Sequence, residues 1–418
     1  MVGTVSPAAR ASAPFAASTG PLVRTVDGGT VRSARHVGPA RVASLSVSSP
    51  VTVRPISAEE HLAFVASRSG SFLQTPAWGR LKSDWRSESL GWFAGGELIG
   101  AGLVLYRQLP RLKRSLAYLP EGLVTDWDGP QLLDVLRTLR DHVREQGAFG
   151  LRIGPVVAVR RWHAPTIKAA MADESVTSLA QVEPDVTENG GIRLRTLLQR
   201  LGFTHLAPED GFSAGQPQFV FQVPLTGRSE DDLLKGMNQL WRRNIKKATK
   251  LGVEVSRGGV EDLPLFHEVY AETARRDHFV PRPLSYFQRM FEHLLAEDPD
   301  RIRLYVARHE GDVVAATTWV RVGGHTWYSY GASTSEKREV QGSTAIQWQM
   351  MRDSLDAGAS VYDLRGITDT VDAEDPHIGL IRFKVATGGE AVEYVGEWDL
   401  PLNPLLYKGF RLYLRHRD

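Results

Sequence analysis

The stretch GWFAGGELIGAGLVLYR, residues 91–107, alternates larger apolar and small residues on either side of an acidic glycine turn. This pattern is typical of two antiparallel strands joined by a tight turn. A second stretch of the same kind, LYVARHEGDVVAATTWVRV, covers residues 304–322. Aligning Gly96 with Gly311 superposes both turns and the alternation around them. The sequence therefore predicts two similar hairpins.

Each hairpin is followed by a segment of helical periodicity and then by a short apolar run. LLDVLRTLRDHVREQG precedes FGLRIGP at residues 149–155, and STAIQWQMMRDSLDAG precedes SVYDLRG at residues 360–366. A hairpin, helix and strand that occur twice indicate a duplicated unit in a mixed α/β fold. Two unrelated hairpins with similar turns are the alternative.

Length and composition limit the classes of function. The 418 residues are enough for two domains, and 50 basic residues nearly balance 48 acidic ones, so no overall field attracts nucleic acid. The absence of cysteine excludes disulfides and thiolate sites and is compatible with a cytoplasmic protein. No apolar run approaches the roughly 20 residues that span a bilayer.

Residues 1–50 have a different composition from the rest. They are rich in Ala, Ser, Val, Pro and Gly, and Asp27 is their only acid. Such a segment cannot bury enough apolar surface to fold, and it lacks the apolar core of a secretory signal. We expect a disordered N-terminal tail.

The hairpin–helix–strand order is also that of acetyltransferase-type (GNAT) N-acyltransferases, in which a glycine-containing turn binds the pyrophosphate of coenzyme A. Here that place holds REVQGSTAIQW, residues 338–348. Only Gly342 and Ala345 suit such a loop, and the acid Glu339 would repel a pyrophosphate. We expect the fold without the coenzyme A site.

The segment GRSEDDLLKGMNQLWRRNIKKATKLGVEV, residues 227–255, predicts one helix. Ser229 and Asp232 form a capping box, and Gly252 is a stop signal. Apolar residues recur at helical spacing at Leu233, Met237, Leu240, Trp241, Ile245 and Ala248. The other face collects Arg242, Arg243, Lys246, Lys247 and Lys250. A solvated face or a contact with a phosphate backbone would both explain these charges.

Common catalytic motifs are absent. The sequence has no G-x-S-x-G, no H-E-x-x-H, no G-x-x-x-x-G-K and no G-x-G-x-x-G, and its histidines are scattered. We therefore expect no metal and no cofactor. An enzyme of this kind would hold two reactive molecules together without a covalent intermediate.

Six short segments of the sequence, taken in order, resemble segments of the Fem-type (FemABX) aminoacyltransferases of peptidoglycan bridge formation. They are FLQTPAWGRLKSDW (72–85), SLAYLPEGLVTDW (115–127), RRNIKKATKLGVEV (242–255), WYSYGAST (327–334), VYDLRGI (361–367) and GLIRFKVATGGEAVEYVGEWDL (379–400). The resemblance covers residues 51–418. It is to the compact form of the family, because no heptad run for a helical arm occurs.

The resemblance implies two tandem GNAT-like domains, the first over residues 51–216 plus 390–418 and the second over residues 217–389. It implies transfer of an amino acid, such as glycine, serine or alanine, from aminoacyl-tRNA to the side-chain amine of the third stem residue of a peptidoglycan precursor, lipid-linked or UDP-linked. The expected partners are therefore the aminoacyl-tRNA and the precursor. The expected place is the cytoplasm, at the inner face of the plasma membrane where the acceptor is lipid-linked.

Site residues follow from the same resemblance, position by position. Lys82 and Arg282 would bind the diphosphate of the precursor, and Tyr286 and Tyr330 would line the same groove. The tRNA would lie on the basic face of residues 242–250. Where several relatives have an acid before proline, this chain has Gly154, so no acid at that place serves as a base.

Phe383 and Lys384 are expected at the reaction centre. The alternation of Ile381, Phe383 and Val385 predicts a strand with Lys384 on its opposite side. Aminolysis of an ester produces an oxyanion, and a nearby cation stabilises it. We expect Lys384 to supply that charge and the turn at residues 388–389 to admit the tRNA terminus. Exposing the lone pair of the attacking amine at pH 7 costs about 4–5 kcal/mol.

Three other functions stay open. One keeps the tRNA donor but uses a small peptide or nucleoside acceptor, as in antibiotic assembly. Another is a coenzyme A-dependent N-acetyltransferase, and the third is a non-catalytic RNA-binding module. The C-terminal segment, residues 402–418, could contact an anionic membrane, but we expect it to pack on the first domain.

Overall fold

The structure is a computed structural model that describes residues 49–109, 112–206 and 215–415. The predicted tail, residues 1–50, lies outside the described residues except for Ser49 and Pro50. Within the described ranges strands and helices alternate, and they form two mixed sheets.

The strands are β1 (Val51–Pro55), β2 (Arg86–Ala94), β3 (Glu97–Gln108), β4 (Ser115–Leu119), β5 (Val124–Thr125), β6 (Ala148–Ile153), β7 (Ala158–His163), β8 (Val186–Thr187), β9 (Thr204–His205), β10 (Phe219–Pro224), β11 (Glu254–Gly258), β12 (Ile302–His309), β13 (Asp312–Val322), β14 (His325–Ser333), β15 (Val361–Ile367), β16 (Glu390–Tyr394) and β17 (Trp398–Pro401). The helices are α1 (Ala58–Ser67), α2 (Pro76–Leu81), α3 (Leu132–Glu145), α4 (Ala164–Ala170), α5 (Asn189–Arg200), α6 (Glu230–Gly236), α7 (Gln239–Lys250), α8 (Leu263–Arg276), α9 (Leu284–Glu297), α10 (Gly342–Asp356), α11 (Ile378–Val385) and α12 (Pro404–Arg415).

The two sheets repeat one topology. In the first sheet β1, β2, β3 and β4 lie side by side and antiparallel, and α3 leads to β6, which pairs with β4 in parallel. In the second sheet β11–β14 follow the same order, and α10 leads to β15, which pairs with β14 in parallel. We call these the first and second units. Both predicted hairpins, helices and strands are confirmed.

The β4–β6 pairing ends at Leu119 opposite Ile153, and the β14–β15 pairing ends at Trp327 opposite Asp363. Strands β4 and β6 end at these residues, whereas β14 and β15 continue without pairing with each other. We call the region beyond each last pair the opening of that sheet.

The sheets exchange strands along the chain. Strands β7, β8 and β16 belong to the second sheet, although β7 and β8 lie within residues 51–216 and β16 begins at residue 390. Strand β17 returns to the first sheet beside β6. The division into domains at residues 216 and 389 stays a prediction, but the sheets themselves do not follow it.

A shared apolar core joins the two units. Phe72 and Trp78 from the first unit's side pack with Phe287 and Trp327 from the second. The Phe72 ring meets both tryptophans edge-on, at centroid distances of 5.4 and 5.2 Å. Burial of such aromatic surface is a main source of folding free energy, so the two units stabilise each other.

The prediction of one helix over residues 229–250 is wrong in one respect. The capping box of Ser229 and the left-handed Gly252 are confirmed, but the backbone is extended at Met237, and Asn238 starts α7 by accepting a hydrogen bond from the Trp241 amide. The break rotates the second part, so Leu240 is 60% exposed.

The predicted strand around Lys384 is also wrong, because residues 378–385 form α11. Its buried residues are Ile378, Ile381, Lys384 and Val385, which recur with the helical period. An apolar run of eight residues fits either period, and here packing against the second sheet selects the helix.

The C-terminal segment packs on the first unit's sheet, as expected. Tyr407 and Phe410 of α12 lie against Leu116 and Phe149. None of the helices in the described ranges is both long and apolar enough to cross a membrane.

Candidate functional site

Two cations from distant parts of the chain meet at one tyrosine ring. The Lys82 Nζ lies 5.7 Å and the Arg282 Cζ 5.2 Å from the centre of the Tyr286 ring. The Tyr286 hydroxyl is 3.2 Å from that of Tyr330. The structure thus brings together the four residues that the sequence analysis assigned to the precursor.

The elements on either side hold this cation pair in place. Lys82 caps the C-terminus of α2 and also lies 5.0 Å from the Trp78 ring, while Arg282 stands in the proline-flanked turn before α9. Neither cation forms an ion pair within the described ranges. Burial and the nearby Arg282 lower the pKa of Lys82. A bound anion would relieve both effects.

A central cavity of about 310 Å³ lies between the two sheets, where both open. Ser71, Glu121 and Trp127 line it from the first unit's side, and His325, Trp327, Asp363 and Arg365 line it from the second. Tyr394 of β16 completes the wall. A volume of this size is enough for a small side chain and its attacking group.

Glu121 and Arg365 form a buried ion pair across the cavity. The Arg365 guanidinium donates to Glu121 Oε1 at 2.9 Å, and the Ser71 hydroxyl donates to Oε2 at 2.5 Å. Both residues have positive φ, 49° and 63°, which costs a non-glycine residue on the order of 1–3 kcal/mol. The surrounding packing therefore fixes this pair where the two sheets open.

Asp363 is the centre of a second polar group. Its Oδ2 accepts from the Gln222 amide at 2.9 Å and lies 3.3 Å from the His325 Nε2, and its Oδ1 accepts from the Arg365 backbone N–H. Gln222 also donates to the Tyr394 hydroxyl. Burial favours the neutral acid, but the contacts with His325 and Arg365 lower the pKa of Asp363. The carboxylate is therefore ionised at neutral pH.

Lys384 is buried and points toward backbone, not into bulk solvent. Its amine donates to the carbonyl of Gly366 at 2.7 Å and to that of Arg365 at 3.4 Å. It does not itself line the cavity, although Arg365 does. Burial lowers the pKa of Lys384 to about 7, with the Asp363 charge opposing the shift. Its charge thus lies directly behind one wall of the cavity.

Phe383 connects α11 to the basic helix. Its ring lies 5.1 Å from that of Trp241, and the Asn238 N–H at the start of α7 donates to the Ala386 carbonyl. The glycine turn after α11 packs closely against the backbone of two neighbouring segments. A Cβ at Gly388 would collide with the Gly236 carbonyl, and one at Gly389 with that of Gln222. These glycines allow tight packing.

The basic face of α7 has two parts. Arg242 donates to the carbonyls of Leu234 and Lys235 and so closes the end of α6. The other four, Arg243, Lys246, Lys247 and Lys250, are exposed and form no ion pair in the described part of the chain. These four provide an uncompensated positive stripe.

The sequence analysis gave no role to several residues of the cavity. It assigned nothing to Glu121, His325, Asp363, Arg365 or Tyr394. The available signal was a charged residue within an apolar strand or two positions beyond it, as in VYDLRG and YLPEG. Beside Gly154, the place of the missing acid, lies the carboxyl of Glu397, which accepts from the Tyr118 hydroxyl at 2.6 Å.

A chain of contacts joins the cation pair to the cavity. Lys82 lies over Trp78, Trp78 meets Phe72, and the Arg365 guanidinium lies 5.6 Å from the Phe72 ring. The two sites are therefore connected through buried aromatic side chains.

Comparisons with known proteins agree with this geometry. Residues 56–310 and 300–415 match the FemAB family. A lipid II:glycine glycyltransferase of Staphylococcus epidermidis is 24% identical over 84% of this chain and 93% of its own length, and the Staphylococcus aureus protein of that name has the same values. The crystal structure of FemX superposes with a TM-score of 0.72 and 22% identity, over 85% of this chain and 98% of that one. The chain belongs to the FemAB family.

Proposed function

We propose that this protein transfers an amino acid from aminoacyl-tRNA to the side-chain amine of the third stem residue of a peptidoglycan precursor. The reaction is aminolysis of an activated ester, so it needs binding and charge stabilisation more than a nucleophile. The relatives named lipid II:glycine glycyltransferase support an acceptor of this class.

The cation pair carries the proposal. Lys82 and Arg282 come from different units, share the Tyr286 ring and have no acidic partner in the described ranges. Two positive charges beside the same ring suit a diphosphate, which both lipid-linked and UDP-linked precursors contain. A diphosphate held there would leave the rest of the precursor free to extend toward the cavity.

The cavity would hold the reacting ends of both substrates. Lys384 lies on the far side of β15 from the cavity, and its charge would stabilise the oxyanion of the tetrahedral intermediate. An anionic donor that binds close to Lys384 would favour its protonated form, because a neighbouring negative charge raises the pKa of an amine. Phe383 would have an indirect role, as the contact that fixes α11 against α7.

The exposed stripe of α7 would bind the tRNA. Its four cations recur along one helix face, and phosphate contacts of this kind give binding that weakens with salt. Because α7 packs on α11 through Trp241 and Phe383, RNA bound there would lie next to the helix that carries Lys384.

The decisive experiment is transfer of radiolabelled glycine, serine or alanine from charged tRNA to purified precursors, with products identified by mass. The acceptor panel compares lipid-linked with UDP-linked precursors and lysine with diaminopimelate at position three. A precursor with an acetylated stem amine is the matched control. We expect a mass increase of one or more residues on the free-amine precursor alone.

Other outcomes would support other functions. Transfer only to a small peptide or nucleoside would indicate antibiotic assembly. Binding of uncharged and charged tRNA alike, without transfer to any acceptor, would indicate an RNA-binding module and overturn the proposal. Coenzyme A binding would indicate acetyl transfer; against it, Gly342 packs closely on Val314.

A further inference from the structure

The cavity contains a histidine that the proposed reaction has not used. His325 starts β14, and its side chain is 17% exposed. Its ring stacks on Trp327 at a centroid distance of 4.1 Å and an interplanar angle of 8°. The stacking fixes the plane of the imidazole against the cavity wall.

The ionised carboxylate of Asp363 orients this ring. It lies 3.3 Å from Nε2, so it favours the tautomer that carries a proton there. The other nitrogen, Nδ1, has no hydrogen-bond partner in the described part of the chain. An imidazole held by a carboxylate with one free nitrogen is the arrangement of a proton acceptor.

The other ionisable groups of the cavity are already engaged. Glu121 is paired with Arg365 and hydrogen-bonded to Ser71. Burial raises the pKa of Tyr394, whose hydroxyl accepts from Gln222. The guanidinium groups of Arg68 and Arg365 have no nitrogen that accepts a proton. Among the cavity's lining residues His325 has the one imidazole, and the lone pair of its free Nδ1 can accept a proton.

We propose that His325, oriented by Asp363, takes a proton from the ammonium group of the acceptor. The resulting neutral amine then attacks the donor ester. This inference rests on the proposed function. The first proton of the –NH3⁺ group passes to Nδ1 and then to water. The nitrogen forms the new C–N bond and loses a second proton, which goes to the ribose oxygen as the C–O bond breaks. One proton is released per transfer.

The charges around His325 are consistent with this role. Asp363 and Arg365 face it from β15, Glu121 from the loop after β4, Arg68 from the loop after α1, and Tyr394 from β16. Arg68 and Arg365 balance the two carboxylates, and the faces of Trp127 and Trp327 would attract an ammonium group through cation–π contacts. An amine would therefore be bound in its charged form and would need an acceptor for its proton.

The test compares wild type, His325→Gln and His325→Ala in the transfer assay between pH 6 and 9. We expect each variant to lose about 100-fold or more in kcat. Because any change in the charge of Lys384 is common to both enzymes, the ratio of wild-type to His325→Gln kcat should fall as pH rises toward the amine's own pKa of about 10.4. Added imidazole should restore part of the activity of His325→Ala.

His142→Gln is the matched control, because His142 is bound to Glu88 and does not line the cavity. Circular dichroism checks that the variants are folded, and His325→Gln carries the test if the alanine variant is not. Variant rates within twofold of wild type, with the same pH profile, would overturn the role of His325 while leaving the transfer function intact. A wild type that transfers nothing to any acceptor would overturn both.

Discussion

The guanidinium of Arg365 donates to the carboxylate of Glu121 at 2.9 Å, and each residue stands two positions beyond the last pair of its sheet's parallel strands. The pair therefore joins the openings of the two sheets. It lines the cavity and is largely shielded from water, since the side chains of Arg365 and Glu121 are 20% and 9% exposed.

Removing one member of this pair should destabilise the fold. Glu121→Gln leaves a buried guanidinium without its counterion, and we expect the free energy of unfolding to fall by about 3 kcal/mol or more. Urea unfolding measures it. Asp128→Asn, which breaks the exposed pair with Arg193, should cost less than about 1 kcal/mol. Equal effects at the two sites would contradict a structural role for the Glu121 pair.

The cation pair should control precursor affinity. Lys82→Ala and Arg282→Ala should each weaken binding about 10- to 100-fold, since each removes one charge-assisted contact with a diphosphate. The loss should shrink as salt is raised. Calorimetric titration with a UDP-linked precursor measures both. Arg289→Ala, an exposed arginine on α9, should bind like wild type, and unchanged affinity in the two other variants would refute the assignment.

Lys384 should give the stability a characteristic pH dependence. Its pKa is about 7 when folded and about 10.4 when unfolded, so between these values the unfolded chain binds the extra proton and stability rises with pH. From pH 7 to 9 wild type should gain up to about 2.7 kcal/mol relative to Lys384→Met. Lys168→Met removes an exposed lysine and should show the same pH dependence of stability as wild type. If the free energy of unfolding of Lys384→Met changes with pH in the same way as that of wild type, the pKa of Lys384 in the folded protein is ordinary.

The same variant tests catalysis. Loss of a cation that stabilises an oxyanion costs about 100- to 1,000-fold in kcat. We expect this loss in folded Lys384→Met with little change in precursor affinity. Near-normal transfer would refute the proposed role.

Glu397 should give the stability a pH dependence opposite to that of Lys384. Burial raises its pKa to about 7, so between about pH 4.5 and 7 the folded protein binds the extra proton and stability falls as pH rises. Glu397→Gln should remove this slope, at most about 1.4 kcal/mol per pH unit. Thermal unfolding at pH 5 and 7 measures it. Glu183→Gln, at an exposed carboxylate, is the control and should keep the wild-type slope.

The stripe on α7 should determine RNA affinity. Replacing Arg243, Lys246 and Lys247 with alanine should weaken tRNA binding and make the logarithmic salt slope shallower by about one per lost phosphate contact. Filter binding at several salt concentrations measures the slope. Lys168→Ala should leave it unchanged. An unaltered slope in the triple variant would place the tRNA elsewhere.

The sequence predicted the elements whose periodic patterns are long. Both hairpins, α3 and α10 were predicted because their alternation or helical spacing extends over ten residues or more. Eight residues around Lys384 were too few to distinguish a helix from a strand, so that prediction failed. The break before α7 depends on the backbone at Met237 and on the cap at Asn238, and neither interrupts the apolar spacing.

The sequence predicted the precursor-binding residues of the site but not the residues of the cavity. The resemblance assigned Lys82, Arg282, Tyr286 and Tyr330 to one groove, and the structure places them together. Glu121 and Arg365 lie 244 residues apart, and a contact at that separation leaves no periodic trace in the sequence. His325 and Asp363 become a pair only when β14 and β15 lie in register.

Because the cavity wall and the cation pair draw on both sheets, one topological repeat alone would contain a lysine without its arginine and half of the cavity wall. Truncation at any point between the two repeats should therefore abolish the proposed transfer completely.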